Sequence, residues 1–267
     1  MTDPVFILLG FMVLGILSTL AWRLGMLDGG GSLAGFLVGY PVWLGGGPTW
    51  LAMLALVLIL VVQTTRLGYA TKRARGSAEP AHGTRGWRNV VANVGVAGLA
   101  GLGEFAYRDE RFALFFAGAL AAALSDTMAT EVGGLSRSTP RRLTRPRQSV
   151  PPGSSGGVTG LGITAGVAGS GIISLAGLLL GVVGPAPRAL LVVFLAGFLG
   201  CLVDSLLGDT IQGKYECQIC GSRVESSRHC AAPCRWAGGV RWLGNNAVNA
   251  LTTTCGGLMA VLLDLLA

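Results

Sequence analysis

ALLVVFLAGFLGCLVDSLL, residues 189–207, runs for nineteen residues with a single charge, Asp204. A helix that long and that apolar covers the roughly 30 Å hydrocarbon core of a bilayer. The acid near its end is the informative residue, because a carboxylate close to hydrocarbon is costly and tends to be kept for function. Similar runs lie on both sides of it, at 5–22, 158–183 and 247–266. Residues 32–62 form a longer apolar stretch broken at Gly45-Gly46-Gly47-Pro48, which reads as a helical hairpin of two spans. Two shorter runs, 90–103 and 112–124, must borrow flanking polar residues, sit partly inside the bundle or lie obliquely. The expectation is an all-α polytopic bundle of about seven or eight spans, one integral membrane domain over residues 1–267. The first run has Asp3 rather than a basic region before it and no clear small-residue cleavage site after it, so it reads as a span.

Composition agrees. The chain is 51% hydrophobic and only 12% charged, which excludes a disordered chain, a coiled coil and an ordinary soluble enzyme. Its 43 glycines follow no three-residue period, which excludes collagen. Within spans they favour close helix packing. The net charge of +7 comes from 18 Arg and 2 Lys against 13 acids. These bases sit in short loops between apolar runs, which argues against nucleic acid. It favours positive-inside loops, contact with anionic membrane lipids, or phosphate binding. Residues 63–89 carry six bases, 132–157 five and 208–246 five, and the intervening loops are nearly neutral. Two spans separate each neighbouring pair of basic loops, so all three are expected on the cytoplasmic side.

Polar groups at the span ends carry the chemistry. Ser125-Asp126-Thr127-Met128-Ala129-Thr130-Glu131 follows an Ala/Leu-rich run. On a continuing helix Asp126 and Thr130 lie one turn apart, as do Thr127 and Glu131. Two carboxylates at a membrane edge suit an oxygen-ligated Mg²⁺ that also meets substrate phosphates. Gly153-Ser154-Ser155-Gly156-Gly157 leads into an apolar helix and offers N–H groups and hydroxyls to an anion, with five Arg shortly before it. Asp204 is followed by Ser205, Asp209 and Gln212, which make one polar stripe. Asn89 and Asn245 suit helix N-caps, while Asn93 and Asn249 fall one turn inside their spans, where an amide needs a partner. In the third basic loop Cys217, Cys220, Cys230 and Cys234, with His229 alongside, have the spacing of a closed, structural Zn²⁺ knuckle. Free thiols or a redox pair remain open.

In this order, the motifs resemble the integral membrane family that contains transmembrane protein 19 and plastid phytyl-phosphate kinase, catalogued as domain-of-unknown-function family 92. The resemblance runs from Gly29-Gly30-Gly31 to Asn245-Asn246-x-Val248-Asn249. Asp126-Thr127-x-Ala129-Thr130-Glu131, Gly153–Gly157 and Asp204-Ser205-Leu206-Leu207-Gly208 with Gln212 carry it. Ser125, Met128 and Ser154 stand where the family tends to have Ala, Trp and Thr, and Asp209 replaces a small residue. The resemblance implies a membrane kinase that converts an isoprenoid monophosphate, such as phytyl phosphate, to its diphosphate with a nucleoside triphosphate. Asp126, Glu131 and Asp204 would then hold Mg²⁺, and the Gly153–Gly157 loop with Arg141, Arg142 and Arg145 would hold phosphates. Asn93, Thr127, Thr130, Ser205, Gln212, Asn246 and Asn249 complete the expected binding set. Two other readings stand beside this one. A transporter also uses polar motifs in Gly-rich spans, and a non-enzymatic membrane protein could recruit a partner through its zinc knuckle.

Overall fold

The computed structural model describes residues 3–266. Its helices are α1 (Pro4–Arg23), α2 (Gly29–Arg66), the short α3 (Tyr69–Ala74), α4 (Trp87–Tyr107), α5 (Arg111–Gly133), α6 (Gly160–Leu179), α7 (Pro187–Thr210) and α8 (Asn245–Leu266). Among the described residues, seven helices are long and apolar enough to cross a membrane. The starts are set by local chemistry. Asp3 accepts from the Val5 N–H, Asp28 from Gly31 at 2.6 Å and Thr159 from Gly162 at 3.0 Å. Pro4 and Pro187 occupy first-turn positions of α1 and α7.

The hairpin expected over 32–62 is present inside α2. Gly47 adopts φ 65°, ψ −152°, a conformation open to glycine, and Pro48 starts the second limb. A straight 38-residue helix would be about 57 Å long. Instead the two ends of α2 meet: Arg66 Nη2 donates to the carbonyl of Gly25 at 2.7 Å, just before the first limb begins. Counting the limbs of α2 separately makes eight such segments among the described residues.

The two short apolar runs belong to longer helices, α4 and α5, because both draw in flanking polar residues. α5 can do so because it lies at the centre. Residues 116–125 are fully enclosed by α2, α4, α6, α7 and α8. Small residues let those neighbours close in. A Cβ added at Gly118 would sit 2.6 Å from the Gly256 carbonyl, and one at Gly162 would sit 2.8 Å from that of Ala129. Trp50 stacks on Phe116 at 4.2 Å in the same core. α1 is peripheral and packs chiefly on α2, with Val5, Leu8, Phe11, Ile16 and Leu20 turned outward, as a lipid-facing helix requires.

The three basic loops gather at one end of the bundle. Asp28 meets Arg85, Gly153 approaches Ser77, and Arg142 bonds Asp209. Two small sheets cap this end. β1 (Arg141–Arg142) pairs antiparallel with β2 (Gly157–Val158). The Cys-rich segment forms a second sheet in the order β4-β3-β6-β5, from β3 (Lys214–Cys217), β4 (Arg223–Val224), β5 (Arg228–His229) and β6 (Ala232–Gly238).

Candidate functional site

A cavity of about 450 Å³ opens at the loop-bearing end and runs down between the helices. Its deep walls are apolar: Leu14 and Leu17 from α1, and Val38, Leu54, Leu58 and Val61 from α2. Its mouth is polar. α5 contributes Asp126, Thr127, Thr130 and Glu131, α7 contributes Asp204, α4 contributes Asn89 and Asn93, and α8 contributes Asn245 and Asn249.

Asp126 and Asp204, 78 residues apart in sequence, lie within hydrogen-bonding reach of each other. α5 and α7 make this possible because Gly197 and Gly200 face Ala121 and Ala122 with almost no side chain between the backbones. Thr252 of α8 donates to Asp204 Oδ2 at 3.0 Å. Asn249 Nδ2 reaches Asn93 Oδ1 at 3.4 Å, and Asn93 donates to the Asn89 carbonyl at 2.9 Å. The two inner amides therefore partner one another across the mouth. Asn89 is not an N-cap, since α4 starts at Trp87 behind a Gly86 cap.

Glu131 sits differently from the sequence expectation. It is 3% exposed, and Lys72 Nζ lies 2.5 Å from its Oε2. Arg85 Nη2 lies 3.7 Å from Oε1. Lys72, with no exposed surface, also donates to the carbonyls of Thr64 at 3.1 Å and Thr65 at 2.7 Å. A carboxylate neutralised by two buried cations is a structural anchor for the α2–α3 turn and a poor partner for a further cation. Among the described residues, neither Asp126 nor Asp204 has an ion-pair partner. Two adjacent carboxylates without a counter-ion fit a hard divalent cation such as Mg²⁺.

The basic residues are also redistributed. Arg141, Arg142 and Arg145 do not line the cavity. Arg141 is exposed and donates to the Pro146 carbonyl at 3.0 Å. Arg145 is exposed as well. Arg142 is bonded to the buried Asp209, which also accepts from the Thr144 N–H at 3.1 Å and hydroxyl at 2.5 Å. Asp209 thus straps the β1 turn to the end of α7. Among the described residues, the cationic side chain lining the cavity is Arg85, whose Nε is buried without a partner. Nothing in its sequence context marked it among 18 arginines.

Of the Gly/Ser loop, Gly153 lines the cavity, while Ser154, Gly156 and Gly157 pack behind it. The Gly157 N–H is already used by the Ser154 carbonyl at 3.0 Å. Ser155 donates to Glu225, which reaches the cavity from the Cys-rich sheet and which sequence reasoning missed. Burial pushes the Glu225 carboxyl above the usual range. Gln212 is 2% exposed and stands beside Glu225. Ser205 does not line the cavity, and at the start of α8 the lining residue is Asn245, with Asn246 exposed.

In the Cys-rich sheet the ligand-type atoms of Cys217, Cys220, His229 and Cys230 all lie within 4.8 Å of one another. Cys234, expected as the fourth ligand, is the strand partner of Cys217 and falls outside that group, with His229 in its place. Backbone N–H groups of Cys220 and Ile219 hold the Cys217 thiol down to about 7. Three thiols and an imidazole are a donor set suited to structural zinc.

The sequence matches the family model described as integral membrane protein DUF92 over residues 12–257. The chain belongs to this family. It is 26% identical to the chloroplast protein VTE6 of Arabidopsis thaliana over 89% of its own length and 65% of that protein's, so it spans about two thirds of that relative. It is 28% identical to protein PGR of the same plant, covering 93% of both chains. A membrane protein of Methanocaldococcus jannaschii is 29% identical over 94% of this chain and 92% of that one. No solved structure matches.

Proposed function

We propose that this protein is a membrane-embedded kinase that converts an isoprenoid monophosphate to its diphosphate at the expense of a nucleoside triphosphate. One observation carries the reading: a single cavity is apolar along its depth and acidic and amide-lined at its mouth. A prenyl tail suits the Leu/Val walls, and its phosphate would then lie at the level of Asp126, Asn93 and Asn249. The family resemblance supports the same substrate class. The basic-loop end, taken as cytoplasmic, admits the nucleotide.

Phosphoryl transfer needs charge neutralisation and alignment more than covalent help. A phosphate oxygen of the lipid attacks the γ-phosphorus, the bond to the β-phosphate oxygen breaks, and the nucleoside diphosphate leaves. No protein base is required, because the attacking oxygen is already anionic near neutral pH. Asp126 and Asp204 would hold Mg²⁺, which supplies charge neutralisation when bound. Arg85, whose two terminal nitrogens are held by Glu79, Glu131 and Thr65, offers its remaining Nε–H to the phosphates, and the Asn93–Asn249 pair offers amide contacts.

The test is turnover in detergent, where a carrier would do nothing. Purified protein is given labelled ATP, CTP, GTP or UTP with Mg²⁺ and phytyl, geranylgeranyl, farnesyl or undecaprenyl monophosphate. A labelled diphosphate is expected, and Asp126→Asn or Asp204→Asn should lower its formation on the order of 10³-fold. No product from any pairing would reject the reading, as would an Asp204→Asn protein with normal turnover.

A further inference from the structure

The Cys/His cluster stands outside the chemistry above. Cys220, His229 and Cys230 are exposed, and none of the four residues of the cluster lines the cavity. The β4–β5 connection, however, carries Glu225. Cys220 stands five residues before Glu225 and His229 four after it, so the two halves of the cluster bracket the segment that enters the cavity. The segment has little else to hold it. β4 and β5 are two residues each, and no apolar residue of 221–228 is buried. Strands this short with so small a core are not stable without a cross-link. At the other end of the segment, Ser155 donates to the Glu225 carboxylate and the buried Gln212 side chain stands against it. Glu225 lines the same cavity as Asp126 and Asp204.

We propose that Cys217, Cys220, His229 and Cys230 bind one structural zinc ion whose work is to clamp Glu225 into the cavity wall, making Glu225 the third carboxylate beside Asp126 and Asp204. Glu131 cannot fill that place, since Lys72 and Arg85 already neutralise it. The four donors fill a tetrahedral site and leave no open position, so the zinc acts only through the loop it closes. Glu225 in turn completes an oxygen-rich set for a hard cation at the mouth. The inference rests on the Asp126/Asp204 cavity being the active site.

The test uses the full chain in detergent. Metal analysis should find about one zinc per chain. Stripping it with a strong chelator should remove hydrogen-exchange protection from residues 221–228 and from the Ser155 loop, leaving α5 and α7 protected. Glu225→Gln should keep its zinc and its melting temperature, yet bind Mn²⁺ about tenfold more weakly. Prenyl-phosphate turnover should fall by on the order of 10²-fold. Chelation should weaken Mn²⁺ binding of the wild type by a similar factor and of Glu225→Gln no further. Unchanged protection of 221–228 after zinc removal would overturn the clamp. Mn²⁺ affinity unaffected by Glu225→Gln would overturn the third carboxylate. Zinc content, exchange and Mn²⁺ binding need no lipid substrate, so their failure is distinct from failure of the kinase reading.

Discussion

Lys72→Met should destabilise the protein by about 3–5 kcal/mol, the usual consequence of stripping one partner from a buried ion pair. Lys72 has no exposed surface, and its Nζ holds Glu131 Oε2 at 2.5 Å together with two backbone carbonyls of α2. Methionine keeps most of the volume and removes every donor. Glu131 then retains only Arg85, at 3.7 Å, and the Thr64 and Thr65 carbonyls lose this partner. Because Arg85 still offers some compensation, the lower end of the range is expected. A chain of this size shifts its midpoint by about 2–4 °C per kcal/mol, so thermal unfolding in detergent should move down by roughly 6–12 °C. Glu131→Gln should fall similarly, and the double variant should lose about 1–3 kcal/mol less than the sum. Asp126→Asn, by contrast, should leave the midpoint in place. If Lys72→Met melts with the wild type, or if Glu131→Gln kills turnover without touching stability, the assignment of Glu131 to structure is wrong.

Two further perturbations address the strap and the tail pocket. Gly156 has φ +72°, and a Cβ there would lie 2.4 Å from the Asp209 backbone nitrogen. Gly156→Ala should therefore cost about 2 kcal/mol or more and expose residues 141–157 to protease, and a variant as resistant as wild type would contradict the packing. Leu54→Trp places an indole in the apolar half of the cavity and should penalise long prenyl phosphates about tenfold or more in kcat/KM, sparing short ones. Equal losses across all chain lengths would mean that the tail lies elsewhere.

Much of this architecture was legible in the residues themselves. Apolar runs such as 189–207 have few alternatives to spanning a bilayer, because backbone polar groups in lipid must be satisfied within the segment. Gly45-Gly46-Gly47-Pro48 marks a break for the same local reason: glycine tolerates positive φ and proline suits a first helical turn. Loop charge placed the three basic loops together, and Asp126 and Asp204 stood out as acids at the ends of such runs. Partnership was not legible. Lys72 and Arg85 lie 59 and 46 residues from Glu131, in a loop where six bases look alike, and only folding selects which two are buried against it. Arg142 drew attention as a phosphate ligand, but the packing of α7 against the β1 turn gives it to Asp209. Glu225 was hidden because its value depends on a sheet that lays the Cys-rich segment over the cavity mouth. Its one sequence signal was its position between two ligand pairs. Hydrophobicity is a property of a segment and survives in one dimension. A carboxylate's role depends on whether a cation sits beside it, and that distance exists only once helices far apart in sequence have packed.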